Sequence, residues 1–418
     1  MNPGSRLARF WRTLGPGLIT GAADDDPSGI ATYSLAGAQF GTGLLWLPVI
    51  SWPLMWAVQY SCARIGMVTG RGLMSALRLR YPRPVLFAMV VALFVANAIN
   101  IGADLAGMAD GAELLTSVNS HIWVVLFGVG LMFGTVRLRY RQMARILKWL
   151  SLVLVSYIIT ALISRPDWSA IVRDMLTPHL PTGSEGWGMV VAIFGTTISP
   201  YLFFWQASQE VEEEKAEGRS GHARFNASPA ELKARSADVA VGSLAATITM
   251  FFIMLTTALT LHAHGLTHPT TTNEVASALQ PLAGRAAMLL YTVGLLGTGA
   301  LAIPTLAGAT AYAAAELLSF RQGIDEKFHR AKAFYAVILV SIAAAIAMDF
   351  LHISAVRALY LTAVINGLLA PILLVAIVRT SADAAVMHGQ PGARRMHALV
   401  WVAAGIMTAA AFMMVWVS

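Results

Sequence analysis

The chain has 418 residues, 57% of them hydrophobic and only 12% charged, with a mean hydropathy of +0.64. That composition excludes a soluble globular domain and points to a membrane protein with many spans. The net charge of +7 could suit nucleic acid, but its placement along the chain argues against such a partner. The single cysteine, Cys62, leaves no intramolecular disulfide and no thiolate metal cluster.

Eleven stretches are long and apolar enough to cross a bilayer, which takes about 20 residues. They are 14–36, 43–65, 84–110, 120–136, 146–164, 187–209, 237–261, 284–316, 332–348, 354–378 and 397–417. The expected fold is an all-α polytopic membrane protein forming a single transporter domain over 1–418. The N-terminus carries no cleavable-signal pattern.

The first span opens at Gly15-Pro16-Gly17 and is interrupted by Asp24-Asp25-Asp26-Pro27-Ser28-Gly29. Carboxylates at mid-bilayer cost roughly 2.5–3.5 kcal/mol each. The proline removes a backbone donor, and the glycine loosens the helix. Non-helical backbone survives at membrane depth only inside protein or against water, so the stretch reads as a broken helix presenting acids and carbonyls. The plainer alternative has the acids outside the membrane, capping a helix that begins at Pro27.

The second span brings Trp46, Trp52 and Trp56, suited to an interfacial belt. The third carries Asn97, Asn100 and Asp104 at spacings of three and four, on one helical face. This face is either functional or an interhelical hydrogen-bonding seam. Asp110 and Glu113, at its outer end, are expected in solvent. Arg137 to Arg141 forms a basic cluster that sets topology, and Trp168 to Met175 reads as a short amphipathic piece.

The sixth span breaks at Gly195-Thr196-Thr197-Ile198-Ser199-Pro200-Tyr201, with hydroxyls in place of acids. Spans one and six are five apart. Paired interruptions at corresponding positions of two halves point to a transport site between them. The expected inverted repeats cover about 14–164 and 187–378, with an extra helix at about 397–417. Beyond the break, Gln206, Gln209 and Glu210 lead to Glu212-Glu213-Glu214, expected as a solvated helix end. His262, His264 and His268 read as solvated loop residues. Span eight is rich in small residues, with Pro304 inside it and Glu316 near its inner end. Span ten has Asn366-Gly367 at its middle, where Asn366 either approaches the site or bonds to a neighbouring helix.

Taken in alternation, the connections on one side hold all of the 29 basic residues except Arg165, Arg173, Arg285 and Arg357. By the positive-inside rule the N-terminus is cytoplasmic and the C-terminus outside.

At the Gly-Pro-Gly opening, the Asp26-Pro27-Ser28-Gly29 break and the Gly195–Tyr201 motif, the chain resembles the natural resistance-associated macrophage protein (NRAMP) family of divalent-metal transporters. The resemblance covers most of the chain and implies the LeuT-type fold, five plus five helices in inverted repeat and an eleventh. It makes Asp26 the metal-binding aspartate and puts Gly29 where the family has a metal-binding asparagine. Thr196 stands where a backbone carbonyl binds the metal. Ser199 replaces a methionine ligand, and Tyr201 and Gln206 replace two histidines. Ala103-Asp104-Leu105-Ala106-Gly107 resembles an Ala-Asp-Leu-Ala-Glu motif, keeping the aspartate and losing the glutamate.

The thioether is a soft ligand; a serine in its place leaves an all-oxygen site of Asp26, with Asp24 or Asp25, Ser199 and the carbonyls of Ala23 and Thr196. Such a site suits hard cations, Mg²⁺ or Mn²⁺, with waters retained, and it resembles the divergent NRAMP-related branches that include magnesium and aluminium transporters. Loss of the histidines and the glutamate removes the residues credited with proton relay and argues against proton coupling. Asp104, Tyr201, Gln206 and Asn366 remain as a candidate polar pathway.

The function expected is import of a divalent cation by alternating access, as a secondary transporter or uniporter in a bacterial inner membrane. The alternative is a transporter of the same fold for a small organic solute or amino acid, using the acids for a coupling ion. No Ser/His/Asp order, HExxH or phosphate loop suggests an enzyme. No tightly bound cofactor, nucleic acid or obligatory protein partner is expected; the partners are the cation and the bilayer.

Overall fold

A computed structural model describes residues 16–137, 152–218, 227–349 and 354–417, and all regular structure among them is helical. In chain order the main elements are α1 (Pro16–Asp24), α2 (Pro27–Phe40), α3 (Trp46–Thr69), α4 (Leu73–Leu77), α5 (Arg83–Thr116), α6 (Ser120–Arg137) and α7 (Val155–Ile163). They continue with α8 (Trp168–Leu176), α9 (Ser184–Thr197), α10 (Pro200–Ala216), α11 (Pro229–Thr260), α12 (Ala287–Leu318), α13 (Lys332–Met348), α14 (Ala355–Ala382) and α15 (Arg394–Trp416). Among the described residues seven helical segments are long and apolar enough to cross a membrane: α5, α6, α9 with α10, α11, α12, α14 and α15. The first part of the fifth expected span, and most of the Arg137–Arg141 cluster, lie outside the described residues.

Both breaks arise in the same way. A residue before proline is pushed out of the helical region by the proline ring. Asp26 therefore sits at φ −74°, ψ 169° and Ser199 at φ −78°, ψ 135°, each an extended N-cap with proline as the first helical residue. Pro53, Pro304 and Pro371, by contrast, lie inside continuous helices.

The half-helices are held by close backbone packing. A Cβ on Gly21 would lie 2.5 Å from the Gly242 carbonyl oxygen, so α1 lies almost backbone to backbone on α11. A Cβ on Gly195 would overlap the Ala363 carbonyl oxygen, and α9 meets α14 in the same manner. Around them α5 packs on α12, α13 and α14, and α10 packs on α3 and α12. Outward faces leave Phe87, Phe133, Phe412 and Trp416 exposed, as a lipid-facing surface requires.

Several expectations need correction. α5 runs on to Thr116, and its acids are engaged: Asp110 Oδ2 accepts from Thr272 Oγ1 (3.1 Å) and Glu113 Oε2 accepts from the Ser120 amide (2.9 Å). α11 begins at Pro229, eight residues before the expected 237, because Ser228 and Glu231 form a reciprocal capping box. The acidic run after α10's midpoint is not a solvated end, since Glu210 and Glu214 are buried. Arg235 pairs there with Glu210 (2.8 Å), Glu213 and Asp238 (2.8 Å). Asp238 in turn accepts from the Gly17 amide at 2.9 Å, fastening the start of α1 to α11. At the same end, buried Glu316 accepts from the Ser75 amide (3.0 Å) and ties α4 to α12.

Candidate functional site

The two breaks face each other in the interior. A Cβ on Gly29 would lie 3.2 Å from Thr196 Oγ1 and 3.4 Å from Asp26 Oδ1, so the N-terminus of α2 meets the end of α9 at contact distance. Tyr33 Oη and Thr197 Oγ1, 3.1 Å apart, join the two interrupted helices a little further on. Tyr201 Oη, on the other half of the second helix, donates to the Ala23 carbonyl at 2.9 Å.

Asp26 caps α2, as the plainer reading expected, yet it is a residue of the interior. Its Oδ1 accepts from the Gly29 amide (2.7 Å), and Oδ2 takes only a long contact from Asn100 Nδ2 (3.4 Å). Its exposure is 1%. Asp24 is equally buried, and neither of its oxygens has a hydrogen-bond partner among the described residues. Asp25 is buried too, and its Oδ1 has no hydrogen-bond partner among the described residues. Asp104 faces the Ser28 amide, short of a full hydrogen bond, and lies within electrostatic reach of Asp26.

Ser199 stands at the N-cap of α10 but its side chain makes no capping hydrogen bond. Its hydroxyl turns back and donates to the carbonyls of Gly195 and Thr196, 2.7 Å each. The carbonyls at both interrupted C-termini, Ala23 and Thr196, therefore each meet a hydroxyl, whose oxygen still has free lone pairs. Thr196 Oγ1 itself, buried, has no partner among the described residues.

The remaining residues divide. The polar face of α5 splits: Asn97 donates to the Leu306 carbonyl (3.1 Å) and Thr310 Oγ1 (2.8 Å) of α12, a plain interhelical tie, while Asn100 and Asp104 turn to the first break. Asn366, with no partner for either side-chain polar atom among the described residues, sits on α14 beside Gly367, whose backbone abuts Gly195 of α9. Gln206 is drawn away from the breaks, donating to Glu210 Oε1 at 2.7 Å. Sequence reasoning missed Tyr33; its position seven residues, two helical turns, after Asp26 was the available signal.

Chemically, four buried carboxylates (Asp24, Asp25, Asp26 and Asp104) gather at one break with no cation among the groups acting on them. Buried charge without a counter-charge is costly. Helix C-termini add partial negative charge from their carbonyls. No three Asp, Glu, His or Cys side chains among the described residues form a ready-made metal cluster. The donors to hand are single carboxylates, hydroxyls and carbonyls, which are hard oxygen ligands.

A family model described as "Natural resistance-associated macrophage protein-like" matches residues 17–417. Over 306 residues the chain is 32% identical to proteins named divalent metal cation transporter MntH from Yersinia pestis (strain Pestoides F) and Yersinia pseudotuberculosis (serotype O:1b), covering 71% of each chain. Among solved structures, the manganese transporter of Eremococcus coleocola superposes with a TM-score of 0.77 at 19% identity, covering 98% of this chain and 87% of that one. Mhp1, a nucleobase-cation-symport-1 family transporter, superposes with a TM-score of 0.59 at 14% identity, covering 97% and 92%. At the identities of the two solved structures the likeness is of fold, and all these relatives are named as transporters.

Proposed function

The chain belongs to the natural resistance-associated macrophage protein-like family, and from that premise we propose that it imports a divalent metal cation by alternating access. The proposed substrate is of the Mn²⁺ or Mg²⁺ type; the MntH relatives are named for divalent metal cations, and the solved neighbour is a manganese transporter. The observation that carries the reading is the meeting of the two breaks. Asp26, Gly29, Thr196 and Ser199 lie together there, carboxylates are buried without counter-cations, and every donor is oxygen.

In this reading Asp26 Oδ2 is the charged ligand, since its hold on Asn100 is weak, and Asp24 and Asp104 add negative potential. The hydroxyls of Ser199 and Tyr201 rotate from donating to a carbonyl to offering a lone pair. Gly29 supplies no side-chain oxygen, and even a Cβ there would press on Thr196 Oγ1 and Asp26 Oδ1, so the ion keeps part of its water shell. Asp25, whose Oδ1 is buried without a partner among the described residues, stays among the proposed ligands, and Gln206 belongs to the ion-pair end of the molecule. Entry is driven by the membrane potential, about 2.3 kcal/mol per charge per 100 mV, without a coupled proton. The domain is proposed to contain eleven spans, as two inverted repeats over about 14–164 and 187–378 and a final helix, with the N-terminus cytoplasmic.

The test is metal uptake by liposomes containing the purified protein, wild type against Asp26→Ala. Saturable Mn²⁺ entry that the variant lacks, with both proteins eluting as the same folded species, is the expected result. Undiminished uptake by Asp26→Ala moves the site elsewhere.

A further inference from the structure

Remote from the breaks, a cavity of about 760 Å³ lies between α3, the first turns of α11 and the turn leading into α15. That volume is within the range of ordinary ligand sites. The walls of this groove are apolar and its rim is cationic. Trp56 and Tyr60 of α3, Leu232 of α11 and Met396 of α15 supply the walls, with Arg64 and Lys233 at the rim.

The walls are fixed by the protein itself. Trp52 Nε1 and Trp56 Nε1 donate to the carbonyls of Ala240 (3.1 Å) and Ser236 (3.0 Å), clasping α3 to α11 with the indole polar atoms already satisfied. Arg64 Nη2 donates to the carbonyls of Gln390 (3.2 Å) and Pro391 (3.0 Å), and Nη1 to Tyr60 Oη (3.3 Å); its Nε is buried without a partner among the described residues. Among the described residues neither Arg64 nor Lys233 forms an ion pair. Glu231, the nearest acid on α11, is committed to the Ser228 amide at the capping box. Two cations therefore share one rim with no protein anion opposite them.

We propose that this groove binds an anionic phospholipid, its phosphate between Arg64 and Lys233 and an acyl chain along Trp56, Leu232 and Met396. Charge complementarity selects an anion, and the apolar walls select an amphiphile over a free ion. Arg394 and Arg395 open α15 at the same end, so the groove lies where anionic headgroups would concentrate. The lipid would bridge three helices, one of which, α11, also holds the start of α1.

The experiment is native mass spectrometry of the detergent-purified full chain titrated with phosphatidylglycerol, phosphatidylcholine or inorganic phosphate. Phosphatidylglycerol should be retained preferentially. Lys233→Gln, an exposed residue whose loss leaves packing untouched, should lower its affinity about fivefold, as expected for one basic charge near a headgroup. Arg64→Gln should lower it at least as much, and Arg64→Lys should keep most of it. Equal retention of phosphatidylcholine, or undiminished phosphatidylglycerol binding by both Gln variants, overturns the proposal. Displacement of the lipid by millimolar phosphate also overturns it, by making this a free-anion site.

Discussion

Asp26 joins a structural duty to a proposed chemical one. It caps α2 through the Gly29 amide and leaves Oδ2 for a cation. Removing the carboxylate should cost the cap about 1 kcal/mol and transport nearly all of its activity; melting and uptake assays separate the two. Ser199 sets the softness of the site. Ser199→Met exchanges an oxygen for a polarisable thioether, and competition assays should show Cd²⁺ and Fe²⁺ gaining against Mg²⁺; an unchanged profile would remove Ser199 from contact with the ion. Gly29→Asn adds a carboxamide beside Thr196 Oγ1 and Asp26 Oδ1. It should tighten Mn²⁺ binding by isothermal titration, because a protein oxygen replaces a retained water. At this scale the residues proposed for the site stood out in the sequence, since acids, Pro and Gly inside an apolar run are costly to insert unless they line a polar interior. It could not show that Ser199 and Tyr201 turn their hydroxyls onto carbonyls, because that depends on how the half-helices approach.

Among the elements, the broken helices were legible and the ion-pair end was not. An Asp-Pro and a Ser-Pro step favour extended caps locally, and the structure has both. The Arg235 network joins α10 to α11 and, through Asp238, to the amide of Gly17, so it is fixed by tertiary packing. Read along the chain, the same acids look like a solvated run. Arg235→Ala leaves the buried carboxylates of Glu210 and Asp238 without their cation, a loss of about 3–5 kcal/mol. The purified protein should melt several degrees lower, with partial recovery in Arg235→Lys; an unchanged melting temperature would mean the network does not secure α1.

For the whole molecule, charge asymmetry predicts an orientation that helix packing alone does not express. With Cys62 buried, Arg173→Cys on α8 should react with an impermeant maleimide in intact cells, and Arg330→Cys should not. Span count and repeat boundaries depend on hydropathy, which α13 follows residue for residue and α5 outruns by six residues. The central claim, an uncoupled carrier of hard divalent cations, rests on the all-oxygen meeting of the two breaks. Its most direct test is flux of Mn²⁺, Mg²⁺ and Ca²⁺ into proteoliposomes under an imposed inside-negative potential, with internal pH recorded. Saturable Mn²⁺ or Mg²⁺ entry that rises with potential and leaves internal pH constant is the predicted result. Acidification in step with metal entry, or no metal flux at all, would contradict it.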